Sequence, residues 1–282
     1  GFLLADAMAE VAGQFPDQKF AIVDVTWLDH PNLMQIGYEE NKGSALVGAL
    51  GAMVAAHHGY DKIGAVLGIE IPVLYKFEAG YRYGMHWGNA KYAEMTGEKA
   101  DVGLLWSYTG TFSDIAKGKA ATEAMLAQGA GLVYNVAGPL GIGDLEAITE
   151  HLEAKGKSAG PPYMIGVDAN QDWMGDGHRV LASMMKRVDY GVYYAIESVV
   201  NGAFEGGVQV LGPNNGGIAM SGTENLGPFI DFAIGSGALS ESDRGRITDN
   251  WNAMRASVPS WIWEAVEELR GKIGSGEVVV PC

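Results

Sequence analysis

The sequence predicts a doubly wound α/β fold built on parallel sheets. Apolar runs alternate with helical patterns through most of the 282 residues, and the runs are apolar on both faces. Strands buried on both sides belong to parallel sheets covered by helices, and strand–helix alternation in short order marks layered α/β architecture. The 41 glycines are the third sign, because they collect at segment ends, where strand-to-helix turns fall, and follow no three-residue period.

The strand-like runs are Phe20–Asp24, Met34–Gly37, Ile63–Leu67, Val102–Trp106, Leu132–Val136, Met164–Asp168, Val180–Ala182 and Val208–Leu211. Ala45 to Ala56, interrupted by Gly48 and Gly51, reads as a packed helix. Asp114–Gln128 places Ile115, Thr122 and Leu126 on one helical face, and Val188–Gly202 repeats Val188, Val192, Ile196 and Val199 at helical spacing. The alternation breaks near Leu211–Gly217. Three mainly helical stretches follow, the last over Ser260–Gly271, and Glu277–Pro281 reads as a short strand or an extended cover. Trp251, Trp261 and Trp263 are expected to be packing residues.

Composition narrows the function. The 34 acidic residues outnumber the 19 basic ones, giving a net charge of -15, which disfavours nucleic acid and anionic lipid surfaces. The single cysteine, Cys282, removes intrachain disulfides and cysteine-based metal sites. No apolar run reaches the roughly 18–20 residues of a membrane span. There is no Gly-x-Ser-x-Gly elbow, no phosphate loop and no His-Glu-x-x-His. Asp168–Arg179 mimics the start of a calcium loop but carries Trp173 at its sixth position and Arg179 at its twelfth. No metal or cofactor is expected, and no nucleophile–base pair emerges, so the sequence predicts binding without catalysis.

The recurring feature lies at strand ends. Ligands of open α/β sheets sit outside the carboxyl ends of the strands. There Phe20–Asp24 delivers Asp24, the turn after Trp106 brings Phe112 and a capping Ser113 or Asp114, and Gly138 offers close-approaching backbone. Met164–Asp168 ends on Asp168, and Lys186 follows the next strand. Asp168 and Lys186 are expected to form a polar clamp for the hydroxyls of a small neutral ligand, with an aromatic ring to stack on a flat base.

Several segments resemble the basic membrane protein family of purine-nucleoside-binding lipoproteins, the substrate-binding components of ABC transporters. They are Gly1–Asp6, Phe15–Asp24, Lys62–Gly68, Phe77–Tyr81, Gly110–Asp114, Ile165–Gln171 and Ser183–Asp189; the Gly-Val-Asp-x-x-Gln and Ser-x-x-Lys pair is the most specific. The resemblance implies a type I periplasmic binding protein fold of two lobes that close on ligand. It implies that Asp168 and Lys186 hold a ribose, that Asp24 contributes from the other lobe, and that Phe112 forms a base-stacking wall. Val25 departs from the family, whose members often carry a second acid there.

Lobe 1 is expected over 1–60 plus about 188–225 and lobe 2 over 61–187, with a covering segment over 226–282. Family members have further strands and helices before the position of Gly1, preceded by a lipidated cysteine. The sequence is therefore expected to be a fragment of a monomeric, lipid-anchored periplasmic or extracellular receptor that serves a permease and an ATPase. The alternatives are a binder of another flat or hydroxylated solute, such as riboflavin or a sugar, and a ligand-sensing domain coupled to a signalling partner.

Overall fold

Two sheets organise the chain, whose computed structural model describes residues 1–282. The first half runs α1 (Ala5–Gln14), β1 (Phe20–Val23), β2 (Leu33–Tyr38), α2 (Glu40–His57), β3 (Lys62–Leu67), α3 (Pro72–Thr96), β4 (Gly103–Tyr108) and α4 (Ile115–Ala127). It continues through β5 (Ala130–Val136), α5 (Gly141–Glu153), β6 (Tyr163–Asp168), β7 (Val180–Lys186) and α6 (Val188–Val200). The last elements are β8 (Gly207–Leu211), β9 (Ile218–Met220), α7 (Thr223–Gly235), α8 (Asp243–Ala256) and α9 (Ser260–Ser275). The sheet orders are β1-β2-β8 and β4-β3-β5-β6-β7-β9. The pairings among β1, β2 and β8, and among β3 to β7, are parallel.

Every strand expected from the sequence is present, and β9 is one more. Its three residues, Ile218, Ala219 and Met220, are too few to show a period. Residues 277–281 form no strand. The buried Asn41 side chain holds their end, donating to the Val280 and Pro281 carbonyls at 3.0 Å each.

The chain divides into two units. The first is Gly1–Glu40 with Lys186–Ala219, and the second is Asn41–Met185 with Met220–Cys282. These bounds differ from those expected at residues 60, 188 and 225. α2 joins the second unit because backbone atoms of Asn41 and Ala45 occupy the space that side chains at Gly80 and Gly84 of α3 would need. The C-terminal helices join it because Trp251 of α8 bonds to Asp172, before β7.

In the first unit β2 is central and all six of its residues are buried. Its small core gathers Ala5, Ile22, Val25 and Leu33, with Phe2, Met8, Phe20 and Leu28 packed around them. The helix expected after residue 187 forms as α6, but it packs through Gly191, Ala195 and Ser198 and leaves Val192, Ile196 and Val199 exposed. Small residues let the helix come close to β2, where the Tyr38 hydroxyl and Ile36 lie against Gly191.

In the second unit α4 and α5 cover β3, β5, β6 and β7 through Met125, Leu126, Ile148, Leu152, Val66, Val133, Met164 and Val180. β5 is buried along its whole length, as a central parallel strand should be. Because β3 to β7 run parallel, their carboxyl ends share one rim of the sheet. No helix is long and apolar enough to cross a membrane.

Candidate ligand-binding site

In the first unit, β1 releases Asp24 at its carboxyl end. The Asp24 amide still bonds to the Ile36 carbonyl at 2.9 Å, and the backbone then turns into the left-handed region at φ 60°. Such a conformation costs a non-glycine residue about 1 kcal/mol, and aspartate tolerates it better than most. The Lys186 ammonium donates to both carboxylate oxygens of Asp24 at 3.1 Å. It also lies 5.8 Å from the centre of the Tyr38 ring. Tyr38 is fully buried at the end of β2, and its hydroxyl donates to the Arg187 carbonyl at 3.4 Å. Burial, and next the Asp24 charge, push the Tyr38 phenol well above its ordinary range. It is therefore a neutral donor at physiological pH.

In the second unit, three predicted residues lie along the shared rim. The loop after β4 is tied to the end of β3 by Thr109 N–H to Leu67 O at 2.9 Å and Gly110 N–H to Gly68 O at 3.0 Å. The Phe112 ring then fills the space that a side chain at Gly68 would take. Asp114, two residues on, caps α4 by accepting from the Lys117 amide. Gly138 follows β5 at φ 53°, in a turn shaped by the buried Asn135, whose Nδ2 donates to the Gly138 carbonyl and whose Oδ1 accepts from the Ala137 amide, each at 3.0 Å. Asp168, the last residue of β6, is exposed and left-handed at φ 65°.

The order of the strands spaces these groups. Phe112 lies over the end of β3, Gly138 follows β5, and Asp168 ends β6, with β5 between β3 and β6. Two strand spacings separate the ends of β3 and β6 by about 10 Å. An aromatic face, then close backbone, then an acid suits an elongated ligand with a flat end and a hydroxylated end. The Gly-Val-Asp-x-x-Gln motif has a local cause. Gln171 Oε1 accepts from the Val167 amide at 3.0 Å, and only glycine at 166 leaves room for the Gln171 side chain and the Ser183 hydroxyl.

The structure therefore groups the predicted residues differently from the expectation. Asp24 was expected to reach in from the lobe opposite Lys186, but Asp24 and Lys186 are partners within one unit. Lys186 is the last residue of β7 and the first of its segment in that unit, whereas Asp168, with Phe112 and Gly138, belongs to the second. Register in the sheet pairs Asp168 with Met185. Tyr38 was missed, although it too ends a buried strand, and that position was the signal available.

The fold is that of the type I periplasmic binding protein class. The chain matches the Bmp family, described as ABC transporter substrate-binding protein PnrA-like, over residues 1–231, and it belongs to that family. An uncharacterized lipoprotein of Pyrococcus horikoshii is 36% identical over 281 residues, which are 99% of this chain and 67% of that one. The ABC transporter nucleoside-binding protein of Lactococcus lactis subsp. cremoris is 31% identical over 257 residues, 88% of this chain and 69% of that one. Among solved structures, an ABC transporter solute-binding protein from Aeropyrum pernix K1 is similar at TM-score 0.85 and 34% identity, over 100% of this chain and 76% of that one.

Proposed function

We propose that the chain captures a nucleoside, most simply a purine nucleoside, and presents it to the permease and ATPase of an importer without altering it. The rim of the second unit carries this reading: Phe112 for the base, the Gly138 turn alongside, and Asp168 for the vicinal hydroxyls of a ribose. In the first unit the Asp24–Lys186 pair is a second polar group at strand ends. Family membership supports uptake, and one relative is named for nucleoside binding. The P. horikoshii relative is named a lipoprotein, which supports a lipid-anchored receptor on the outer face of the membrane.

Micromolar binding needs about 8 kcal/mol. Stacking contributes roughly 1–3 kcal/mol, and each charge-assisted hydrogen bond about 1.5–3 kcal/mol. Isothermal titration with inosine, guanosine and adenosine tests the proposal. Silence with all three, together with heat from riboflavin or a sugar, would replace it; free base released from bound nucleoside would show an enzyme instead.

A further inference from the structure

We infer that Gln171, Ser183 and Asp172, with Trp251 behind them, are positioning residues that hold the Asp168 carboxylate in its working direction. The inference rests on the reading of Asp168 as a ligand-binding group.

Asp168 sits in a backbone conformation that its own side chain disfavours, and it ends a strand, where the ladder stops holding the chain. Something outside the ladder must fix it. The Ala169 amide closes back on the Val167 carbonyl at 2.8 Å. Gln171 reaches back to the Val167 amide from the far side of the turn. The Gln171 amide donates to the Ser183 hydroxyl at 2.9 Å, and that hydroxyl donates to Asp172 Oδ1 at 2.7 Å. Ser183, opposite Gly166 in the register, thus ties the far end of the turn to β7, and Gln171 carries that hold back to Val167.

Asp172 is the anchor. It is fully buried, and its second oxygen accepts from the Trp251 indole at 3.0 Å. Its amide donates to Asn170 Oδ1 at 2.9 Å, and Asn170 Nδ2 donates to Asn225 at 2.8 Å. A buried carboxylate is tolerated only when its oxygens are satisfied. Here the donors that satisfy it also fix the turn that carries Asp168. Burial alone would leave Asp172 a liability in the core; the network makes it a fixed point beneath the rim.

The test compares the wild type with Ser183→Ala and Trp251→Phe, each alone and combined with Asp168→Asn. Inosine and 2′,3′-dideoxyinosine are titrated calorimetrically, and the φ of Asp168 is measured by NMR couplings in the ligand-free protein. Ser183→Ala is expected to weaken inosine about tenfold or more, the scale of one lost hydrogen bond to a charged group, and to leave the dideoxy compound unchanged. That loss should vanish in the Asp168→Asn background, and Trp251→Phe should act in the same direction more weakly. Without ligand, Asp168 should leave the left-handed region in Ser183→Ala. Equal losses for both ligands, or a loss that persists beside Asp168→Asn, would reduce the network to general stability. Should the wild type bind neither probe, the nucleoside reading fails by itself and the NMR arm decides: an unchanged Asp168 φ in both variants overturns the inference, and a changed one sustains it.

Discussion

Lys186 places its ammonium 3.1 Å from each oxygen of Asp24, with the two side chains only 6% and 12% exposed. A pair this sheltered is costly to desolvate and costlier to break, because removing one partner strands the other charge. Within the first unit it joins the end of β1 to the start of α6, and Tyr38 closes the group from β2. The pair is therefore a structural element of the first unit.

Lys186→Ala should accordingly destabilise the first unit by about 3 kcal/mol, since it leaves the Asp24 carboxylate without its main counter-charge. Asp24→Asn combined with Lys186→Met should recover most of that loss, because neither charge then remains. Urea unfolding of the wild type and the two variants measures both effects. Equal destabilisation in the single and double variants would show that the loss is one of packing.

The strand plan was legible because each strand is a dense apolar run ended by a turn residue; β2, β5, β6 and β7 are buried over nearly every position. α6 was legible as a helix but not in its orientation. Periodicity follows the larger apolar residues, and here Val192 and Ile196 face solvent while Gly191 and Ala195 make the close approach. The placement of the candidate residues was legible, since Asp24, Asp168 and Lys186 all lie at strand ends. Their grouping was not. Sequence spacing cannot show that the chain passes between units at Met185, one residue before Lys186.

Phe112→Ala should lower nucleoside affinity by about 1–3 kcal/mol, roughly five- to 150-fold, through lost stacking. Because the ring also packs on Gly68, a modest fall in melting temperature should accompany it. A free pentose, which has no base, should bind the variant and the wild type alike. Titration of both ligands separates the cases; an equal loss for the pentose would move Phe112 from the ligand wall to the core.

Gly166→Ala tests the motif from its other end. A Cβ there would stand 2.6 Å from the Ser183 hydroxyl and 2.7 Å from Gln171 Oε1, so one of them must move. Overpacking of this kind costs about 1–3 kcal/mol. The expected result is a folded but less stable protein with weakened nucleoside binding, read by thermal melting and titration. A variant with wild-type stability and affinity would mean that the turn can shift without consequence.

Asp144 gives the protein a pH-dependent weakness away from the binding residues. It lies in the first turn of α5, fully buried against α4, where Thr122 donates to its Oδ1 at 2.9 Å and its Oδ2 has no hydrogen-bond partner. Burial raises its pKa from 3.8 to about 7. Below the lower value both folded and unfolded chains hold the proton, and the group is neutral to stability. As pH climbs toward the higher value, the unfolded chain releases the proton and the folded one retains it. Stability is then lost at about 1.4 kcal/mol per pH unit, up to about 4 kcal/mol in all, and the loss levels off above the folded pKa. Asp144→Asn cannot titrate and keeps an oxygen for Thr122. Its stability relative to the wild type should therefore rise by about 3 kcal/mol between about pH 5 and pH 8, measured by urea unfolding at both. Parallel profiles for the two proteins would mean that Asp144 ionises in the folded chain as readily as in the unfolded one.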